Sequence, residues 1–215
     1  MRIVAMSDTH GFHDQLEVPA GDVLVHAGDW SRRGTRDESR AFLEWLAGQP
    51  HAHKLIVAGN HDIFFEREPA EARAMVPANV TWLHDTGAEL DGVRFWGSPW
   101  TPEFFEWAFM LPRGEPLRAR WELIPAGTDV LITHGPPYGH GDLAVPFGLP
   151  GQRAVGCLEL TLAVRQVRPR LHVFGHIHEG YGSSRSDEAP TTLFVNAAIC
   201  TVDYQPTQPP LVLDL

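Results

Sequence analysis

Leu55-Ile56-Val57-Ala58-Gly59-Asn60-His61-Asp62 is an apolar run that stops at a glycine and turns at once into side chains able to bind cations or carry protons. Four other stretches repeat the pattern. Ile3-Val4-Ala5-Met6 leads to Asp8-Thr9-His10, and Val23-Leu24-Val25 leads to Gly28-Asp29. Val130-Leu131-Ile132 leads to Thr133-His134-Gly135, and Val173-Phe174 leads to Gly175-His176-Ile177-His178. Runs this short and apolar, interleaved with helix-like segments, predict buried strands of parallel sheets. In open α/β sheets ligands bind beyond the carboxyl ends of the strands. Five such ends therefore bring Asp, His and Asn side chains to one spot, which points to a dinuclear metal centre and phosphate-ester hydrolysis.

Two divalent cations side by side need a bridging anion and a few terminal donors. Asp29 suits the bridge, since a carboxylate offers two oxygens to two metals. Asp8, His10 and His178 complete one set; Asn60, His134 and His176 complete the other. Imidazole, carboxylate and amide without thiolate suit manganese, our first expectation, and equally iron or zinc. With only two carboxylates among the ligands, the loaded cluster stays positive and attracts a phosphate ester. His61 is not needed for coordination, so it is expected to protonate the leaving oxygen, with Asp62 orienting its ring. Asn60, His61 and His140 are the expected substrate contacts. Asp8-x-His10 or Gly28-Asp29 alone would be weak signals; all five blocks in order, each at a strand end, are specific.

The chain of 215 residues suits one α/β domain over residues 1–215, with 43% apolar residues and enough core to need no staples. Its formal net charge is −10, with sixteen arginines and one lysine, Lys54. Binding to long nucleic acid rests on a basic surface, so the expected partner is a small phosphodiester or nucleotide, with no long nucleic acid and no membrane; an oligomer is compatible. Cys157 and Cys200 are expected as buried reduced thiols. No apolar stretch reaches membrane-spanning length and the first residues lack a signal pattern, so a cytoplasmic location is the expectation.

Helices are expected over 36–48, 66–76 and 156–168, strands over 22–27, 53–58, 129–133, 171–175, 193–197 and 211–213, and a hairpin turn at Asp91-Gly92. Two stretches look unlike scaffold. Residues 95–112 carry Phe95, Trp96, Trp100, Phe104, Phe105, Trp107 and Phe109; residues 135–153 are rich in Gly and Pro, with Tyr138, His140 and Phe147. Long loops of this kind serve as lids or binding loops, and a nucleobase could rest on either. Of the remaining histidines, His26 and His172 are expected to be buried and hydrogen-bonded, His13 to lie near the site, and His51, His53 and His84 to lie at the surface.

The order Asp-x-His, Gly-Asp, Gly-Asn-His-Asp, Thr-His-Gly and Gly-His-x-His resembles the calcineurin-like metallophosphoesterase superfamily, and within it the metallophosphoesterase-domain branch. The resemblance runs through Pro99-Trp100-Thr101-Pro102, Leu111-Pro112-Arg113-Gly114, Thr133-His134-Gly135-Pro136-Pro137, Arg168-Pro169-Arg170-Leu171-His172-Val173-Phe174-Gly175, Ile177-His178-Glu179-Gly180-Tyr181-Gly182 and Cys200-Thr201-Val202. It implies a four-layer α/β/β/α sandwich of two mixed sheets, the same ligand set, and a phosphodiesterase acting on cyclic nucleotides or similar diesters through a metal-bridging hydroxide. A phosphomonoesterase or protein phosphatase is the alternative, as is a nucleotide-binding regulatory protein with weak catalysis. Some vertebrate members of the branch carry glycine where this chain has His176, so the full site is expected here. Ser/Thr protein phosphatases carry an acidic residue where Gly28-Asp29-Trp30-Ser31-Arg32-Arg33-Gly34 has Arg32. Arg33 is expected at the surface.

Overall fold

The computed structural model describes residues 1–145 and 151–215. Strand β1 (Arg2–Met6), β2 (Val23–His26), helix α1 (Arg36–Ala47) and β3 (His53–Ile56) come first. Helices α2 (Ile63–Arg67) and α3 (Pro69–Met75) follow, then β4 (Thr81–Trp82), β5 (Thr86–Leu90) and β6 (Val93–Ser98). The short β7 (Thr101–Pro102) and β8 (Met110–Leu111) lead to α4 (Glu115–Trp121), β9 (Val130–Thr133), β10 (Leu143–Ala144) and β11 (Arg153–Ala154). Helix α5 (Leu158–Val167), β12 (Leu171–Phe174), β13 (Gly182–Ser184), β14 (Leu193–Asn196) and β15 (Leu211–Asp214) complete the described chain.

Two large mixed sheets form, in the orders β15-β1-β2-β3-β4 and β13-β14-β12-β9-β6-β5. The central strands of each are parallel, while β15, β13 and β5 add antiparallel edges. Successive side chains alternate between faces, so each parallel strand feeds two cores. Val4, Met6, Leu24 and Ile56 pack outward against Trp30, Phe42, Leu43, Leu46 and Phe65 on the helix side. Ile3, Ala5, Val25 and Leu55 pack inward against Phe95, Val130, Ile132, Val173 and Val195 of the second sheet. Leu131, Phe174 and Phe194 face outward to Leu117, Trp121, Leu160 and Val164 of α4 and α5. Three cores between four layers make the α/β/β/α sandwich, and they explain why the strands read as unbroken apolar runs. Ser7 and Ala198 form a parallel bridge that joins the sheets at the end where the ligand loops emerge.

Local chemistry sets the element ends. Thr35 caps α1, accepting from Glu38 N while the Glu38 carboxylate accepts from Thr35 N, an arrangement worth about 1 kcal/mol. Arg33 is exposed, and its N–H donates to the same Glu38 carboxylate. The helix expected over 66–76 is instead two short helices. Pro69 lacks an N–H and disfavours helical backbone at Glu68, which stands at φ −127° and ψ 55°. His51 is buried, not at the surface, with Nε2 donating to Pro19 O at 2.9 Å. His53 and His84 are half-buried, not exposed, and His84 packs against Trp82, Trp100 and Phe109. Cys157 and Cys200 are buried and free. Among the described residues, no helix is long and apolar enough to cross a membrane.

Candidate metal centre

The five strand ends deliver their polar blocks to one place. Asp8 Oδ1 lies 3.5 Å from His178 Nε2 and 4.0 Å from His10 Nε2. Asp29 Oδ2 lies 4.0 Å from His10 Nε2 and 3.5 Å from His134 Nε2. Asn60 Oδ1 is 2.8 Å from His134 Nε2. Donor atoms of Asp29, His134 and His176 all fall within 4.8 Å of one another, as do those of Asp8, His10 and His178. All seven expected ligands are thus brought together, with Asp29 Oδ2 facing His10 of one group and His134 of the other.

Backbone geometry aims them. Asp8, His10, Asp29 and His176 sit at φ of 53°, 42°, 59° and 68°. Left-handed backbone is uncommon for residues with a Cβ and clusters at functional sites. Here it turns each chain end sharply out of its strand. The motif glycines serve close approach: a Cβ on Gly59 would meet Asp29 Oδ1 and His134, and one on Gly175 would meet Asp8 Oδ2 and Ser7 Oγ.

The donor set fits a cation. His10 Nδ1–H donates to Ser31 O at 3.2 Å and His178 Nδ1–H to Thr201 O at 2.9 Å. Both Nε2 lone pairs therefore point inward, 3.3 Å apart. Asp8 Oδ1 joins them, buried and without a hydrogen-bond partner, while Oδ2 accepts from His176 N at 2.9 Å. Three acceptor atoms facing one another are what a cation would satisfy. On the other side His134 Nδ1–H donates to Ala27 O at 2.9 Å, aiming Nε2 at Asp29 and Asn60. Carbonyl anchoring of the second ring nitrogen is the usual support for a metal-ligating imidazole.

Charge follows the same logic. Burial alone would raise Asp8, but the His178 ring 3.5 Å away, by its close approach and its charge, holds the carboxyl below its ordinary range. Burial opposes ionisation of Asp29 too, and His134 beside it outweighs burial. Burial pulls His134 down, yet Asp29 lifts it to about 9. His178 is likewise raised against burial by Asp8. Burial leaves His10 at about 4 and His176 at about 3, both neutral near pH 7. Asp29 thus holds a compensating proton on His134, one that a cation would displace.

Two expectations change here. Asp29 does not present both oxygens: Oδ1 accepts from His61 N at 2.7 Å, so Oδ2 alone faces both groups. Asp62 does not orient the His61 ring. Its carboxylate accepts from Asp29 N and Gly59 N at 2.8 Å, and from Ser31 N and Oγ at 3.1 and 2.8 Å. It ties the Asp29 loop to the Asn60 loop, while the His61 ring is fixed by Nδ1–H donating to Arg32 O at 2.9 Å.

Other residues divide between site and scaffold. His61 has one ring nitrogen within 4.8 Å of donor atoms of His10 and Asp29. His140 stays outside the cluster, stacking on Phe194 at 3.6 Å with Nδ1 3.4 Å from Ser184 Oγ. His13 packs on Phe42 and Trp45 of α1 instead of entering the site. Phe95, Trp96 and Phe109 are core, whereas Phe104, Phe105 and Trp107 are exposed. Tyr138 is exposed too, and Phe147 lies outside the described residues. Sequence reasoning missed Ser31 and Tyr204, whose ring packs 4.9 Å from His10 and 5.4 Å from His178. No local pattern marks either.

The calcineurin-like phosphoesterase family model matches residues 1–180, which contain all five of the polar blocks that form the cluster. Metallophosphoesterase domain-containing protein 1 of Homo sapiens is 44% identical over 237 aligned positions, spanning 100% of this chain and 71% of that protein. The Mus musculus protein of the same name matches equally well. Among solved structures, TT1561 of Thermus thermophilus superposes with a TM-score of 0.59 at 19% identity, covering 91% of this chain and 88% of that one. That likeness concerns the fold, and the sequence matches carry the family. With the cation-shaped donor set at its strand ends, this chain belongs to the calcineurin-like phosphoesterases and is a metal-dependent phosphoesterase.

Proposed function

We propose that the chain is a phosphodiesterase for small diesters, cyclic nucleotides among them, working with two divalent metals, manganese first, in the cytoplasm. Asp8, His10, His178 and Asp29 would hold one metal; Asp29, Asn60, His134 and His176 would hold the other. When bound, the metals supply positive charge for the phosphoryl oxygens and a water activated near neutral pH.

The observation that carries the diester reading is the setting of His61. Its Nδ1–H is committed to Arg32 O and its backbone N–H to Asp29 Oδ1, so the ring is held against the cluster with Nε2 left for chemistry. As the oxygen of water bonds to phosphorus and the phosphorus–oxygen ester bond breaks, its electron pair leaves with the ester oxygen, which takes the Nε2 proton of the doubly protonated ring and departs as an alcohol, while His61 keeps Nδ1–H. A cyclic nucleotide has a poor alkoxide leaving group and needs that proton. The net charge of −10 supports a small substrate over a nucleic-acid polymer. Two buried reduced thiols support the cytoplasm.

His61→Ala, assayed with manganese, should lose about 10²–10⁴-fold on a cyclic nucleotide and far less on bis-p-nitrophenyl phosphate, whose nitrophenolate leaves unaided. Metal content by elemental analysis should stay unchanged. An equal loss on both substrates, or a wild-type preference for monoesters across a mono-, di- and cyclic ester panel, would overturn the reading.

A further inference from the structure

Three half-open histidines, His61, His176 and His178, form the mouth of the centre, and an exposed aromatic ring stands against each one. Trp107 lies over His61 with centroids 4.3 Å apart and planes 34° apart. Phe104 is 5.4 Å from His176, and Tyr204 is 5.4 Å from His178. Phe104 and Trp107 come from one loop, between β7 and β8, with Phe105 touching Phe104 at 5.3 Å. Their exposures are 48%, 62% and 36% for Phe104, Phe105 and Trp107. Single exposed apolar residues need no explanation, but three large rings within four positions at the lip of a site do.

The loop is anchored, not loose. Thr101 N–H donates to Phe109 O at 2.9 Å and Glu103 N–H to Leu111 O at 2.9 Å. Phe109 N–H donates to the Glu66 carboxylate at 2.6 Å. Ala108 N–H donates to Asn60 O at 3.2 Å, so the ring next to it is pinned to the backbone of a candidate metal ligand. Two exposed acids, Glu103 and Glu106, lie on the same loop. Their charge disfavours a second phosphate there and leaves a neutral ring as the complementary guest.

We infer that Phe104 and Trp107 form a stacking ledge for a neutral planar base carried by the phosphoester, beside the reacting phosphate. This rests on the diester reading above and deepens it: the centre takes phosphoesters of nucleosides in preference to those of plain alcohols. Stacking suits such a task because every nucleobase has a π-face, so the ledge selects for a base without naming which one.

The test compares adenosine 2′,3′-cyclic phosphate with glycerol 1,2-cyclic phosphate, which share the five-membered cyclic diester and differ in the ribose ring and the base it carries. Both are followed by phosphorus NMR with the manganese-loaded protein. The wild type should favour the nucleotide in kcat/KM. Phe104→Leu and Trp107→Leu should each reduce that preference, and together remove about 5–100-fold of it. An unchanged preference in both variants overturns the ledge. So does a Trp107→Leu variant that loses equally on both esters while Phe104→Leu is silent, since Trp107 would then act through His61 alone. A second readout needs no turnover. Adenosine monophosphate, but not inorganic phosphate, should quench tryptophan fluorescence in the wild type and not in Trp107→Leu. If the wild type hydrolyses neither cyclic ester yet shows that quenching, the diester reading falls and the ledge stands; equal quenching in the variant overturns the ledge.

Discussion

The two sheets contribute to the centre differently. The first supplies Asp8, His10, Asp29 and Asn60, and with them all the negative charge; the second supplies only the imidazoles His134, His176 and His178. Three of the four left-handed candidate ligands, Asp8, His10 and Asp29, belong to the first sheet, and only His176 belongs to the second. Both halves use the same buried brace, a threonine beside a ligand bonded to a histidine on the neighbouring strand. Thr9 Oγ1 lies 3.0 Å from His26 Nε2, and Thr133 Oγ1 lies 2.9 Å from His172 Nε2. The braces differ at the other ring nitrogen. His26 Nδ1 accepts from Gly28 N at 3.3 Å, tying the turn before Asp29 to the turn holding Asp8 and His10. His172 Nδ1 is buried without a partner. Strained backbone persists only where its surroundings over-determine it, and the half with more strain and more charge has more ties.

The largest break in this comparison is at its shared member. Asp29→Asn removes the charge that both groups of donors face, so metal content and turnover should fall together, turnover by about 10³-fold or more. Elemental analysis after gel filtration, beside activity in manganese, checks this. A variant that keeps two metals and near-native turnover would show that the first sheet's charge is not what assembles the centre.

The second sheet offers a gentler break. His176 stands at φ 68°, where glycine is at ease. His176→Gly therefore removes an imidazole without straining the fold. It should weaken one metal site by about 10–100-fold, lower activity in limiting metal, and recover in part at high manganese. Unchanged metal titration would remove His176 from the ligand set.

The braces themselves sharpen the contrast. His26→Gln should lower metal affinity by about 10–100-fold, as loss of a ligand's support generally does. His172→Gln should lower it less, because one tie is lost there instead of two. Isothermal titration with manganese measures both, and equal losses would mean that the extra bond to Gly28 has no part in holding the first half.

What was readable from the sequence shows the same divide between local and assembled features. Apolar runs followed by Asp, Asn or His are contiguous signals, so the strands, their parallel pairing and the seven converging side chains could be read from them. Hydrogen bonds that span sequence could not. Asp62 follows His61 and invited a local pairing, yet its four donors come from Asp29, Ser31 and Gly59. His51 looked like a surface residue because its Pro19 partner lies 32 positions away. The aromatics of 95–112 gave composition without sidedness; only packing separates buried Phe109 from exposed Phe104 and Trp107.

The smallest effect concerns acid, and His172 is the cleaner probe. Thr133 Oγ1 donates to Gly135 O at 2.8 Å, so it accepts from His172 Nε2–H, and Nδ1 stays bare in an apolar wall beside Phe174 and Phe194. A second proton on Nδ1 would have no acceptor, and burial, with the neighbouring His140, depresses the ring's pKa to about 3. An unfolded histidine takes up that proton near pH 6.5. The unfolded chain therefore binds more protons than the folded one between those values, and stability rises with pH across that window. The contribution is complete above pH 6.5 and is lost as pH falls toward 3, about 3 kcal/mol of it by pH 4. Glutamine gives up the ring's tie to Thr133 and cannot titrate. In the chelator-treated protein, where no metal competes with protons for the ligands, His172→Gln should be less stable than wild type at pH 7, and the gap should close or reverse at pH 4. Urea midpoints at the two pH values measure it. A gap that stays constant from pH 7 to pH 4 would mean that His172 does not stand neutral in the fold, and the second sheet's brace would then be a charged one.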